Sequence, residues 1–484
     1  MKRFMVIYGV FAFIWIIEDS PSNLTVARER WVTAYLASWN HYAPPGGNWG
    51  NLPTEAIDWD AVSHISYFAL SVNSDGSLSP ILEWHNMSPS RINAIISAAH
   101  AHDVPVLLAV GGWGNHADFS AALEPVVRTL LVQNLINILI TWGFDGIDLD
   151  MEPIASDDVE NYEAFVRLLH TELELLSTPL LESPLLTAAT NWQPVLFGRL
   201  HPLFDQINLM TYDYSGAWQG WVTWHNSPVY SGDYKFPNIE RPVPSINQDV
   251  RQYIKSGVPP EKLGIGIDFY GYIWDGVTKP GESWEDPPQV QPNVPYHTIM
   301  DDFYRESFFH WDSIAQAAYL SIQQDTTFVS YDNEQSIHSK FRYVRENNLG
   351  GVILWELGGG YRQNEPAGER DNLLQTVKNT WKNDTTLTTT EPQDTEFTGL
   401  SWESAAPNPF NTEISLTFTV PAPAPVRLEI YSLMGRQIKT LVNEKLASGH
   451  HSVAWRPDDI ASGTYFCVLR WTDKVITRKI LYLK

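Results

Sequence analysis

Between Trp31 and Trp381, eight short runs rich in β-branched and aromatic residues recur, and segments with apolar residues at helical spacing fall between them. The runs are 31–39, 63–70, 104–112, 144–152, 186–190, 206–213, 263–270 and 351–357. Helical patterns cover about 88–102, where Ile92, Ile95, Ile96 and Ala99 fall on one face, then about 119–142, 157–176, 246–256 and 371–381. A strand followed by a helix and a further strand must cross over in parallel. Eight such units predict a closed (β/α)8 TIM barrel, whose active sites form at the C-terminal ends of the strands.

The fourth run is Phe144-Asp145-Gly146-Ile147-Asp148-Leu149-Asp150-Met151-Glu152. Its carboxylates at 148, 150 and 152 alternate with Ile147, Leu149 and Met151, so a strand places all three acids on one face. The apolar segment Leu130 to Trp142 precedes it, which argues that both faces are covered. Three carboxylates in a partly dry space repel one another, so at least one holds its proton near neutral pH, and such a proton can be donated. A solvated acidic edge strand or a cation site are the other readings of these nine residues.

The chain has 484 residues, room for one large domain and a smaller one. Its net charge of −24 excludes nucleic acid as a partner, because phosphate binding needs a basic footprint. Twenty Trp fit a neutral polymer better, since their faces can stack on sugar rings. Met1-Lys2-Arg3 and the apolar run Phe4 to Ile17 read as a secretory signal or an uncleaved anchor over 1–22. Cys467 is the sole cysteine, so no intramolecular disulfide forms and stability must come from the core. Rich in Pro, Asp and aromatics, 273–327 reads as a small insertion after strand seven that walls the cleft. The Thr-rich stretch 382–398 reads as a linker between the barrel, 31–381, and a second domain at 399–484. There Ile414 to Val420 alternates cleanly and short strands follow, which predicts an all-β, immunoglobulin-like sandwich. This second domain carries ten Lys and Arg against seven Asp and Glu, net +3, which leaves −27 for the rest.

With these runs in place, the first domain resembles glycoside hydrolase family 18, the chitinases and their relatives. Residues 144–152 carry that family's Asp-x-x-Asp-x-Asp-x-Glu signature. Met210-Thr211-Tyr212-Asp213 is similar to its sixth strand, Gly266 to Tyr272 to its seventh, and Tyr331 to Ile337 with Gly350 to Leu357 to its closing segment. The resemblance implies that Glu152 protonates the glycosidic oxygen and later activates water, while the substrate's own 2-acetamido carbonyl attacks the anomeric carbon. Asp150 would accept the acetamido N–H, Tyr212 would hold its carbonyl, and Asp148 would share a proton with Asp150. Trp355 would floor the cleavage subsite, with Met210, Asp213, Tyr35, Gly112 and Asp145 also assigned to substrate binding. Trp113 and Trp218 would stack on neighbouring sugars or sit in the core, and Trp221 and Trp224 extend the same loop. One position departs from the family: the third strand reads Ala109-Val110-Gly111-Gly112 where a Ser is usual. The resemblance then leaves Tyr35 as the partner of Asp148.

The second domain resembles the type IX secretion sorting domains of bacteria, through Pro407-Asn408-Pro409-Phe410-Asn411, Leu433-Met434-Gly435-Arg436, Ser462 to Phe466 and the ending Arg478 to Lys484. A carbohydrate-binding sandwich using Trp455 and Trp471 is the competing reading. The expected protein is a secreted or cell-surface bacterial chitinase, a monomer that needs no cofactor or metal. Its partners would be chitin or N-acetylglucosamine oligosaccharides and, through the C-terminal domain, the secretion machinery. An endo-β-N-acetylglucosaminidase acting on N-glycans and a non-catalytic lectin on the same barrel are the alternatives.

Overall fold

The computed structural model describes residues 30–41, 52–80, 89–385 apart from 238 and 285, and 401–484 apart from short gaps in its loops. Its contacts divide the chain into two compact units, with the division after Thr386. The expected N-terminal signal at 1–22 lies outside the described residues, as do Pro407, Pro409, Leu433, Met434 and Gly435 of the sorting motifs.

In the first unit the eight runs form β1 Trp31–Ala37, β2 His64–Val72, β3 Val106–Gly111, β4 Gly146–Asp150, β5 Leu185–Thr190, β6 Gln206–Leu209, β7 Leu263–Asp268 and β8 Gly351–Trp355. Each pairs in parallel with the next, and β8 pairs with β1, so the sheet closes into the predicted barrel. A short antiparallel strand, Leu78–Pro80, hangs on β2. Outside the barrel lie α1 Pro89–His100, α2 His116–Ala122, α3 Pro125–Trp142, α4 Val159–Leu173, α5 Pro194–Leu200, α6 Ile246–Lys255, α7 Glu334–Glu346 and α8 Asn372–Thr385.

Where the structure differs from expectation, local chemistry supplies the reason. The single helix expected at 119–142 is broken at Glu124, whose extended backbone (ψ 143°) is what a following proline demands, and Pro125 then opens α3. Seven-residue α5 carries a glycine and is followed by Pro202, so it leaves no periodic signal. Polar α7 buries Ile337, Phe341 and Val344 at helical spacing, and its N-cap Asn333 accepts from the Ser336 N–H at 3.0 Å. The last helix runs on to Thr385, four residues into the expected linker, because nothing from Lys382 to Thr385 breaks a helix.

After β7 the chain builds a five-stranded antiparallel sheet, in the order Val290–Pro295, Tyr270–Asp275, Thr327–Tyr331, Ala317–Ile322, Phe309–Asp312. It begins two residues beyond β7 and so joins the barrel at the rim. The second unit holds a three-stranded and a four-stranded antiparallel sheet around one apolar core. Trp455 is only 3% exposed in that core, packed against Phe410 and Tyr465, so it cannot serve as a sugar platform.

Candidate active site

Strand β4 is buried on both faces: Ile147 and Leu149 join the core around the barrel, while Asp148 and Asp150 point the other way, into it. The register sets Asp148 opposite Ala109 on β3 and Thr187 on β5. Asp148 is wholly buried, and its two oxygens are occupied by hydroxyls. Oδ2 accepts from Tyr35 at 2.6 Å and Ser66 at 2.8 Å, and Oδ1 accepts from Thr187 at 2.5 Å. Burial raises the Asp148 pKa, and these three donors oppose the rise.

Asp150 is coupled to Glu152, which lies two residues on and projects from the same face of the chain, and the charge of Asp148 acts on it as well. Burial, and then the charges of Glu152 and Asp148, push Asp150 well above the usual carboxylate range. Its Oδ1 is buried with no hydrogen-bond partner among the described residues. Glu152 is half-buried, and burial first, then the charge of Asp213, push its carboxyl up to about 7.

Asp213 follows β6 with φ at 58°, a left-handed backbone uncommon for residues other than glycine. Its Oδ1 accepts from Tyr270 at 2.6 Å and Tyr272 at 2.9 Å, and its N–H donates to Asn226 at 3.1 Å. Asn226 in turn donates to Asp268 at 2.7 Å, which forms a buried ion pair with Lys340 at 3.2 Å. Lys340 also pairs with Asp332 and donates to Ser227 at 2.6 Å. A fully buried ion network thus stands behind the loop that sets Asp213. Tyr212 lies between the acids, buried and edge-on to Tyr270 at 6.0 Å, with its pKa held well above the ordinary value by burial, then by Asp150 and Asp213. Its ring requires a glycine beside it, since a Cβ on Gly266 would come within 2.6 Å.

Trp355 at the end of β8 is half-buried and packs edge-on to Phe68 at 4.8 Å, to Trp39 at 6.3 Å and against Tyr35 at 5.2 Å. Met210 belongs to the same apolar cluster. Trp113, after β3, is 77% exposed, and Trp218, after β6, is 50% exposed and leans on Trp221. Trp224, from the same loop, is fully buried and donates to the Pro244 carbonyl at 2.8 Å, so it belongs to the core and not to a cleft.

Gly112 donates its N–H to the Asp150 carbonyl at 2.7 Å, and a Cβ on Gly111 would lie 2.2 Å from that oxygen, so this pair lets β3 close on the end of β4. Asp145 does not reach the mouth. It precedes β4, accepts from His100 at 2.6 Å and the Val106 N–H at 2.8 Å, and ties the opposite end of the strand; six residues, five of them the strand itself, separate it from Glu152.

Sequence reasoning missed Ser66, Thr187, Tyr270, Tyr272, Trp39 and Trp192. The last is 39% exposed, and its carbonyl accepts from Tyr253 at 2.7 Å. Inward parity on β2 and β5 was the available signal for Ser66 and Thr187. Among the described residues no group of three His, Cys, Asp or Glu side chains is arranged to hold a metal ion.

Residues 32–360 match the family described as Glycosyl hydrolases family 18, and residues 404–482 match the Secretion system C-terminal sorting domain. Chitinase A1 of Niallia circulans is 26% identical over 293 residues, covering 53% of this chain and 41% of that one. A probable endochitinase of Caenorhabditis elegans is 32% identical over 276 residues, covering 52% and 43%. The chain thus spans about two fifths of the length of these two relatives. Among solved structures, the Ostrinia furnacalis Group IV chitinase in complex with allosamidin aligns at a TM-score of 0.63 with 25% identity, covering 75% of this chain and 100% of that one.

Proposed function

Because this chain belongs to glycosyl hydrolases family 18, we propose that it hydrolyses β-1,4 linkages between N-acetylglucosamine units with retention of configuration. Glu152 protonates the glycosidic oxygen as the bond to the anomeric carbon breaks. The substrate's acetamido carbonyl oxygen forms the new bond at that carbon, giving an oxazolinium ion. Glu152, now a carboxylate, takes a proton from water as the water oxygen bonds to the anomeric carbon and the bond from that carbon to the acetamido oxygen breaks, which opens the oxazolinium ring and restores the acetamido group. Asp150 accepts the acetamido N–H, and Tyr212 donates to its carbonyl.

The observation that carries this reading is the Asp150–Glu152 pair: a carboxyl pushed up to about 7, hydrogen-bonded to a second acid that has one buried oxygen without a partner. A group titrating near neutrality suits both giving and taking a proton. An unpartnered buried acceptor suits an incoming amide N–H. Asp213 adds the negative charge that keeps the proton on Glu152. The aromatic floor around Trp355 takes the apolar face of the sugar at the cleavage point, and Trp113, Trp218 and Trp192 offer faces to sugars further along.

Residues 31–381, with the insertion 273–327, are the catalyst in this reading. Residues 399–484 are an export address that directs the protein out of a bacterial cell or onto its surface, and the names of the relatives agree with a polymer met there. Product analysis on chitin oligomers beside a high-mannose glycoprotein tests the substrate. Release of short N-acetylglucosamine oligomers with the glycoprotein untouched is expected; release of glycans at their chitobiose core with intact chitin oligomers would overturn it.

A further inference from the structure

Strand β3 lies between β2 and β4, and the residue it sets directly opposite Asp148 is Ala109, whose side chain is a methyl. The hydroxyl of Ser66 nonetheless reaches Asp148 Oδ2 from β2, at 2.8 Å, with both residues wholly buried. It shares that oxygen with Tyr35, its own register partner on β1, while Thr187 on β5 takes Oδ1. Ala109 carries no donor of its own, so the hydroxyl that meets Asp148 on this side comes from β2, one strand further on. Each of the three donors is an alcohol or phenol, which stabilises a carboxylate and gives an ionised acid a full set of partners in a dry site.

We infer that Ser66 is a positioning residue for the reaction proposed above: reaching over Ala109, its hydroxyl completes with Tyr35 and Thr187 a shell that keeps Asp148 an anion and leaves the shared proton to Asp150 and Glu152. The titratable groups in the field of Asp148 are Asp150 on its own strand, Tyr35 from β1 and Tyr162 from α4. Burial together with the acids raises both tyrosines above their ordinary value, so they remain neutral and the acids alone redistribute charge. A second negative charge beneath Asp150 holds the proton on the upper pair, where it can be delivered.

The test follows the side-chain carboxyl of Asp148 by 13C NMR in Asp-labelled full-length protein, assigned by loss of its signal in Asp148→Asn, together with the pH profile of kcat/KM on chitin oligomers. Ser66→Ala removes one hydrogen bond to a charged group, an effect on the order of tenfold. The Asp148 midpoint should therefore rise by about one pH unit. Activity that needs the anion is lost as pH falls through that midpoint, so the acid limb should move up with it while KM changes little. Ser66→Ala/Ala109→Ser, which supplies a hydroxyl from the adjacent strand, should return both towards wild type. Ser66→Cys, of similar volume and a weaker donor, should shift both in the same direction by less. An unmoved Asp148 midpoint in Ser66→Ala or Ser66→Cys, or a double variant no different from Ser66→Ala, would overturn the inference. The titration needs no substrate, so a wild type inactive on chitin oligomers would remove the functional reading and leave this one to be decided by NMR.

Discussion

The two units of this chain bury carboxylates in opposite ways. In the sandwich, Glu429 is buried beside two cations, Arg427 at 3.0 Å and Arg470 at 3.6 Å. In the barrel, among the described residues, no ion pair reaches Asp148, Asp150 or Glu152; hydroxyls and neighbouring acids surround them instead. Taking a charge out of water is costly unless an opposite charge or a full set of hydrogen-bond donors answers it, and otherwise the group keeps its proton. A cation therefore makes a buried acid structural, whereas an acid with neither a cation nor enough donors, as at Glu152, becomes a proton donor. The barrel contains both cases, since Asp268 and Asp332 share Lys340 a short distance behind the mouth.

The largest effect that separates the two classes is expected at Glu152. Glu152→Gln keeps the shape and removes the titrating proton, so turnover should fall by roughly a thousandfold or more. Oligomer binding should survive, and retention of a tenth of wild-type turnover would remove Glu152 from the chemistry. The structural class should answer in stability. Lys340→Met strips the cation from two buried acids and should cost about 3–5 kcal/mol in urea unfolding of the barrel. Glu152→Gln should unfold at no lower urea concentration than wild type, and the reverse order of the two variants would break the distinction.

How much of this the sequence disclosed depended on what period two and period 3.6 can report. Alternation put Asp148, Asp150 and Glu152 on one face, and eight strand runs placed Glu152 at the mouth, because both are properties of a single strand or of strand count. The hydroxyl shell of Asp148 is assembled from three other strands. Ser66 and Thr187 look like any small polar residue on the inward face until closure of the barrel and its register bring them together. Packing likewise decides between Trp218 and Trp224, which occupy one loop with the same residue type and end respectively half-exposed and fully buried. Asp145 shares the signature of the acids but sits before the strand, so chain direction alone sends it to the other end of the barrel.

A smaller effect sharpens the role of unanswered charge. After burial, the charge of Asp213 is the main cause that raises Glu152 to about 7. An acid catalyst works while protonated, so kcat/KM should descend as pH rises through that value. Asp213→Asn removes the charge, lowers the Glu152 pKa, and should move the descending limb to lower pH by up to about one unit. A limb that stays in place would mean another group sets it.

The smallest effect is expected in the sandwich. Ending the chain at Glu396 should leave turnover on soluble chitin oligomers within about twofold of the full protein, because separately folded units constrain each other weakly. The same cut should abolish export in a host with the matching secretion system. Binding of the isolated sandwich to insoluble chitin would return it to the carbohydrate-binding reading.

The central claim is that the barrel supplies an acid while the substrate supplies the nucleophile. It is tested most directly by offering the enzyme two hexamers of equal length, one fully N-acetylated and one fully deacetylated. The account predicts that the acetylated hexamer is cleaved with retention at the anomeric carbon and that the deacetylated one is not cleaved at all. Cleavage of the deacetylated hexamer at a comparable rate would contradict it, since a carboxylate of the protein would then be the nucleophile.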